Sequence, residues 1–430
     1  MNFFNLLATE ISFYDGILNN VNLSGITKLV GKVIDFFSFG GYIAMGIIIF
    51  SLILKILPLP LDIYSRAANK KNALKMEKMR PELEKLQKQY ANNKELYNQK
   101  MMALYKKEGY SQLAACLPTL VTLVFFIVVI TAFQQYSSFC KIRTFNDMAV
   151  AYSDSIRNDE NVKGTVKIGE TVYDIEKVVT VNDKKYVIYY KEGSEEKTEE
   201  VSRDNIETVK FYYIDSGEEA VNKVKTAAQN AAAEKYKEEQ SKSRFLWVKN
   251  IWIEDLPWKK SFVDKNAYTN ATFKYSSGCK QKNINSSIAN ANAYDDIFGS
   301  EYIKNEMKKP NGYLVLVALS IISMLVSQLV MTKTQKAQME LQSVDGANGQ
   351  AAQTAKMMNW MMPVMFGLFA FMYTASFSLY LIISTVFSMG STLIINKCVE
   401  KSFEKKLKKE EEEKYLKRYG YLAKNKEDQK

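Results

Sequence analysis

The 430-residue chain contains no histidine and only four cysteines. Without histidine, serine and cysteine hydrolases of the usual His-assisted kind are excluded, and so are the common zinc sites. Cys116, Cys140, Cys279 and Cys398 form no CxxC pair, which excludes a zinc ribbon and most iron–sulfur schemes. A soluble metalloenzyme is ruled out on these grounds, and no metal or other cofactor is expected. Charge is lacking too, but only locally. Residues 112–136, 313–331 and 357–396 hold no Asp, Glu, Lys or Arg, and 40–61 holds only Lys55. The mean hydropathy of −0.21 averages these runs with strongly polar stretches. Together they describe a membrane protein carrying water-exposed segments.

At 1.5 Å per residue, a hydrocarbon layer of ~30 Å takes about 20 apolar residues. Spans are therefore expected at 42–61, 112–136 and 312–331. The run 357–396 has room for two more, 357–375 and 377–397, joined by a tight turn at Tyr373–Ser378 whose hydroxyls satisfy freed backbone groups. Charge then orients the spans. Residues 62–111 carry 12 basic side chains against 6 acidic, 332–356 carry 3 against 2, and 397–430 carry 12 against 8. Residues 1–40 have two lysines against three acids, and the long loop 137–311 balances at 28 each. The positive-inside rule puts the N-terminus outside and the C-terminus in the cytoplasm. The fold class expected is mainly α: a five-span helical bundle with a cytoplasmic helical hairpin and a small α+β exterior domain.

The segments between spans have their own patterns. Ile26, Leu29, Val30, Val33, Ile34 and Phe37 recur at helical spacing within the exterior N-terminus 1–41, with Ser24 as expected N-cap, which reads as an amphipathic interfacial helix. With no basic n-region and no early cysteine, neither a cleaved signal nor a lipid anchor is expected. Residues 62–111 read as two helices turning at Asn92-Asn93, the first broken at Pro81. Met76, Met79, Met101 and Met102 suit an adaptable docking surface, although a solvated hairpin explains the charges equally well. Within 137–311, Val178–Val181 and Lys185–Tyr190 flank Asn182-Asp183-Lys184 as a hairpin, and Thr208–Ile214 adds a strand. Ser216 with Glu219 is expected to form a capping box opening a helix to about Gln240. The stretch 266–309, rich in Asn, Ser and Lys, is expected to be loosely structured. Cys140 and Cys279, the two exterior cysteines of this topology, are a candidate disulfide pair.

Lys55 is the one charge inside a span. A mid-span lysine costs ~2.5–3.5 kcal/mol on insertion scales, so it faces either a wet cavity or the interface by snorkelling. Other spans supply polar neighbours for a cavity: Gln134 and Gln135, Ser327 and Gln328, and Ser384, Thr385 and Ser388. Pro58 and Pro60 break the helix just beyond.

Several short motifs follow in order along the chain: Lys55-Ile-Leu-Pro-Leu-Pro60-Leu61, the basic hairpin with Met-Arg-Pro81-Glu-Leu, and Cys116-Leu-Pro-Thr-Leu120. Arg244-Phe-Leu-Trp-Val-Lys-Asn with Glu254-Asp-Leu-Pro257, Lys356-Met-Met-Asn-Trp-Met-Met-Pro363 and Leu379-Tyr380 complete the set. As an ordered set they resemble the YidC/Oxa/Alb membrane protein insertases. The family's charged residue is usually arginine, so Lys55 departs from it and gives up bidentate carboxylate binding. Leu381 stands for the usual Trp, Ser111-Gln112 for Asn-Pro, and 137–243 reads as an insertion.

The resemblance implies a non-enzymatic insertase and chaperone in a bacterial plasma membrane. Its partners would be nascent membrane proteins, the lipid bilayer, the ribosome and the Sec translocon, and no DNA. Lys55 and the polar side chains of the other spans would line a groove open to the cytoplasm and sealed outside by Phe125, Phe126 and Phe139. A transporter or channel is the alternative, as is a sensor using 137–311 as its ligand domain.

Overall fold

The structure, a computed structural model, describes residues 11, 23, 25–90, 92–110, 112–182, 185–202, 209–262, 264–266, 294–343, 361 and 367–427. They divide into two compact units. The first comprises Met1–Ile47, Thr131–Val315 and Tyr373–Ser376; the second comprises Ile48–Ile130, Leu316–Met372 and Phe377–Lys430. Among the described residues, Ile43–Gln89, Val124–Arg157, Val315–Lys333 and Ala375–Lys417 each hold a helical stretch long and apolar enough to cross a membrane. Of the fourth expected span, 357–375, residues 357–360 and 362–366 lie outside the described residues.

In the first unit, α1 (Gly25–Phe36) buries Thr27, Val30, Gly31 and Ile34. The expected apolar stripe divides, because Ile26, Leu29 and Phe36 stay exposed. The buried face lies on α5 (Gln112–Arg157), where Thr27 Oγ1 donates to Gln135 at 2.7 Å and the Tyr136 hydroxyl donates to Asp35 at 2.6 Å. Ser24 falls outside the described residues. At the start of α2 (Ile43–Ile56), Gly46 meets the end of α1: a Cβ there would stand 2.3 Å from the Ile34 oxygen, so only glycine permits the approach.

The helix α5 continues 21 residues beyond the apolar run that ends at Tyr136. Its extension is amphipathic, with Ile142, Phe145, Ala149, Tyr152 and Ile156 forming a core with Val224, Ala228, Ala232 and Tyr236 of α6 (Glu218–Ser243). That buried stripe, period 3.6, explains why the helix does not stop at the edge of the apolar run. Ile297, Phe298 and Ile303 complete the core, so 294–309 is packed rather than loose: α7 (Glu301–Met307) starts with Ser300 accepting the Ile303 N–H. The expected capping box is not formed. Gly217 is the N-cap of α6, and the Asp215 side chain instead accepts the Gly217 N–H at 2.9 Å.

Between α5 and α6 stands an antiparallel sheet of β1 (Val162–Ile168), β2 (Thr171–Asn182), β3 (Lys185–Glu192), β4 (Glu195–Ser202) and β5 (Val209–Tyr213), in the order β4-β3-β2-β1-β5. One face buries Val166, Val178, Ile188, Tyr190 and Phe211. β1 and β4 escape the sequence signals because their alternation is masked by charges such as Lys163, Glu195 and Glu199. Cys140 is a free, buried thiol rather than half of a disulfide; Cys279 lies outside the described residues.

In the second unit, α3 (Leu59–Gln89) and α4 (Lys94–Glu108) form the hairpin, with Asn93 capping α4 by accepting the Leu96 N–H at 3.1 Å. Pro81 does not break α3. It is exposed, and Met76, Met79 and Leu83 on either side of it are held against Leu104 and Tyr105, which offsets the lost backbone bond. The methionines are correspondingly not a docking surface: Met76 and Met79 are core, Met101 packs beside them, and only Met102 is exposed. The remaining long helices are α8 (Val315–Ser343) and α9 (Ala375–Glu427), the latter carrying the last span and the basic tail as one helix. The expected turn Tyr373–Ser378 is shorter, since α9 already starts at Ala375.

Candidate functional site

Lys55 is the penultimate residue of α2, where a cation complements the carbonyl end of the helix. The chain leaves the helix at Leu57 and Pro58, and Pro60 lies in the first turn of α3, where its missing N–H costs nothing. This break sets Lys55 and Asp62 beside a cavity of about 310 Å³. Leu54, Pro58 and Leu59 complete that wall; Phe125, Phe126, Val129 and Ile130 of α5 form the second. The third belongs to α9, with Tyr380, Phe387, Ser388 and Ser391. Phe126 and Tyr380 approach at 6.4 Å between ring centroids. The site is thus one ammonium, one carboxylate and a few hydroxyls set in apolar walls. Such a surface can solvate a short polar segment without binding it covalently.

Of the residues expected to converge, Lys55 and Ser388 line the cavity. Ser384 is buried on α9 and does not line it. Thr385 turns back to the Leu381 carbonyl at 2.6 Å. Gln135 is engaged by Thr27 of α1, and the amide nitrogen of Gln134 is buried without a partner among the described residues. Ser327 is buried on α8 and Gln328 is half-buried, and neither lines this cavity. Phe125 and Phe126 wall the cavity, in place of the seal expected of them, whereas Phe139 packs on the α5–α6 core.

Arg66 was not singled out by its sequence position. Its guanidinium donates to Asn396 Oδ1 at 2.9 Å and to Thr392 Oγ1 at 2.8 Å, fastening α3 to α9. The available signal was Thr392 and Asn396 four residues apart on one helical face of the last span, an acceptor pair awaiting a fork-shaped donor.

Comparison with known proteins bears on these residues. The profile of the family described as 60Kd inner membrane protein matches residues 35–166 and 231–402, leaving 167–230, which hold most of the sheet, as the internal unmatched segment. That segment is narrower than the 137–243 expected from the motifs. The membrane protein insertase YidC of Fusobacterium nucleatum is 40% identical over 19% of this chain and 38% of its own length. The same-named protein of Clostridium perfringens is 35% identical over 20% of this chain and 35% of its length. A third, from Streptococcus agalactiae, is 33% identical over 30% and 47%. The aligned stretches thus span less than half the length of these relatives. No solved structure matches the chain. With the family profile covering most of its length, the chain belongs to the 60Kd inner membrane protein family, the YidC/Oxa family that its motifs resemble.

Proposed function

We propose that this protein is a membrane protein insertase and chaperone of a bacterial plasma membrane, with its N-terminus outside and its C-terminus in the cytoplasm. The observation that carries this reading is the cavity holding Lys55, Asp62, Ser388 and Ser391 between apolar helices. Moving a polar segment through hydrocarbon carries a large desolvation penalty; a polar pocket inside the bundle shortens that path. Lys55 would hold an acidic or hydrogen-bonding outer segment of a nascent chain while the chain's apolar helix partitions sideways into lipid, driven by burial of its own surface. No bond is made or broken, so the activity is not enzymatic and needs no cofactor. Substrates would be nascent membrane proteins, delivered by the ribosome alone or beside the Sec translocon.

The experiment is insertion of a single-span substrate with an acidic outer segment into proteoliposomes carrying the purified chain. Lys55→Arg should insert at the wild-type level and Lys55→Glu should lose most activity. Full activity in Lys55→Leu at equal protein level would refute a role for the charge and favour simple snorkelling.

A further inference from the structure

Two charges of opposite sign meet the cavity, and the break between α2 and α3 puts them there. Lys55 is next to last in α2, and Asp62 lies in the first turn of α3, so each sits at the helix terminus whose partial charge it complements. The Asp62 N–H donates to the Pro58 carbonyl at 3.0 Å, which fixes its backbone within that first turn. Both side chains are half-buried, and both line the same wall of the cavity.

The Asp62 carboxylate is not spent on a neighbouring side chain. It lies within electrostatic reach of Lys55 and of Arg66, which is one helical turn further along α3. Neither cation forms an ion pair with it among the described residues. The Arg66 guanidinium is committed instead to Asn396 and Thr392 of α9, at 2.9 and 2.8 Å. An ionised carboxylate only accepts hydrogen bonds, so Asp62 offers a cavity guest what Lys55 cannot.

The other polar groups of the cavity do not select a sign of charge. Ser391 donates to the Ser388 carbonyl at 3.1 Å and has lone pairs to offer, while the Ser388 hydroxyl can donate or accept. The remaining lining is Tyr380 and apolar side chains. A charged group entering such surroundings loses hydration that only an opposite charge or good hydrogen bonds replace. Lys55 does this for a carboxylate and repels an ammonium; Asp62 does the reverse.

On the insertion reading given above, we propose that Asp62 is a specificity-determining residue: its carboxylate admits nascent chains whose outer segment carries lysine or arginine, which Lys55 alone would repel. An acidic segment is met by Lys55, a basic one by Asp62, and a segment bearing one charge of each sign engages both. Asp62 correspondingly weakens the hold on purely acidic segments. The competing role for Asp62 is to stabilise the first turn of α3 through the helix dipole, and that role is blind to what enters the cavity.

Insertion into proteoliposomes without a membrane potential separates the two roles. The substrates are three single-span proteins differing only in an outer segment that bears aspartates, serines or lysines. In Asp62→Asn the ratio of basic to acidic substrate inserted should fall about tenfold, the scale of one hydrogen bond to a charged group. Asp62→Ser, a second uncharged variant with an acceptor suited to a helix start, should shift the ratio the same way. Asp62→Glu should keep the wild-type ratio, and Lys55→Gln should raise it. Uncharged variants that insert all three substrates in wild-type proportion, at whatever level, overturn the proposal and leave Asp62 a helix-terminus residue. A wild-type chain that inserts none of the three overturns the insertion reading itself, and this inference with it.

Discussion

Asn311 is fully buried, and its side chain organises the loop that precedes α8. Its Nδ2 lies 3.0 Å from the Asn250 oxygen, 3.2 Å from that of Ile253 and 3.0 Å from that of Glu254, and its Oδ1 accepts the Asn250 N–H at 2.9 Å. An amide nitrogen has two protons, so three carbonyls share two donors, and the set amounts to about three good bonds. The loop in turn supports α9. Ile253 and Ile251 accept the N–H groups of Ala375 and Ser376 at 2.9 and 2.8 Å, donors that the first turn of a helix otherwise leaves unmet. Asn311→Leu keeps the volume and removes every side-chain bond. Three lost bonds at roughly 1 kcal/mol each, with orphaned buried groups adding to the cost, give about 3–5 kcal/mol. At roughly 2–4 °C per kcal/mol for a unit of this size, the melting temperature in a fixed detergent should fall by about 6–20 °C. Exchange at residues 375–378 should rise in parallel. Asn311→Asp should be at least as damaging, since an acceptor would face three carbonyls. A fall of under about 3 °C with unchanged exchange at the start of α9 would refute the reasoning, because the network would then not be holding the loop.

Three further outcomes are expected. Arg66→Ala should broaden the distance distribution between spin labels on α3 and α9, since each lost bond to a charged donor is worth ~1.5–3 kcal/mol; Arg66→Lys should keep only part of the order, and an unaltered distribution in Arg66→Ala would exclude the fork as the fastening. Burial pushes the Glu306 carboxyl up, but Lys249 at 2.8 Å and the neighbouring Lys309 outweigh it and hold it below the usual carboxylate range. A lowered native pKa gives stability that is present above the unfolded value of about 4.3 and lost as pH falls through the native one, so acid unfolding of this unit should be less steep in Glu306→Gln; an identical profile would discount the pair. Truncation after Asn396 removes 12 basic and 8 acidic side chains, and co-sedimentation with translating ribosomes should then fall and lose its salt sensitivity, whereas salt-insensitive binding by the intact chain would contradict an electrostatic contact.

The sequence by itself determined the membrane character, the helical hairpin, the helix break at Pro58 and the family. Each of these rests on local quantities, such as charge-free runs, residues barred from helix interiors, and short ordered motifs. Lys55 was legible for the same reason, as an isolated charge in an apolar run. Tertiary structure alone decided which polar side chains met it. Gln135 and Thr385 have the right chemistry, but Gln135 accepts from Thr27 and Thr385 donates to its own helix backbone. Asp62 and Ser391 had the quieter sequence signal and were brought to the cavity by the bend between α2 and α3 and by the face that α9 presents. Likewise Pro81 stayed helical and Met76 and Met79 went inside, because the packing of α3 on α4 outweighs a single residue's preference. Position along a helix is written in the sequence. The azimuth at which each side chain finds its neighbour is set only when the helices pack.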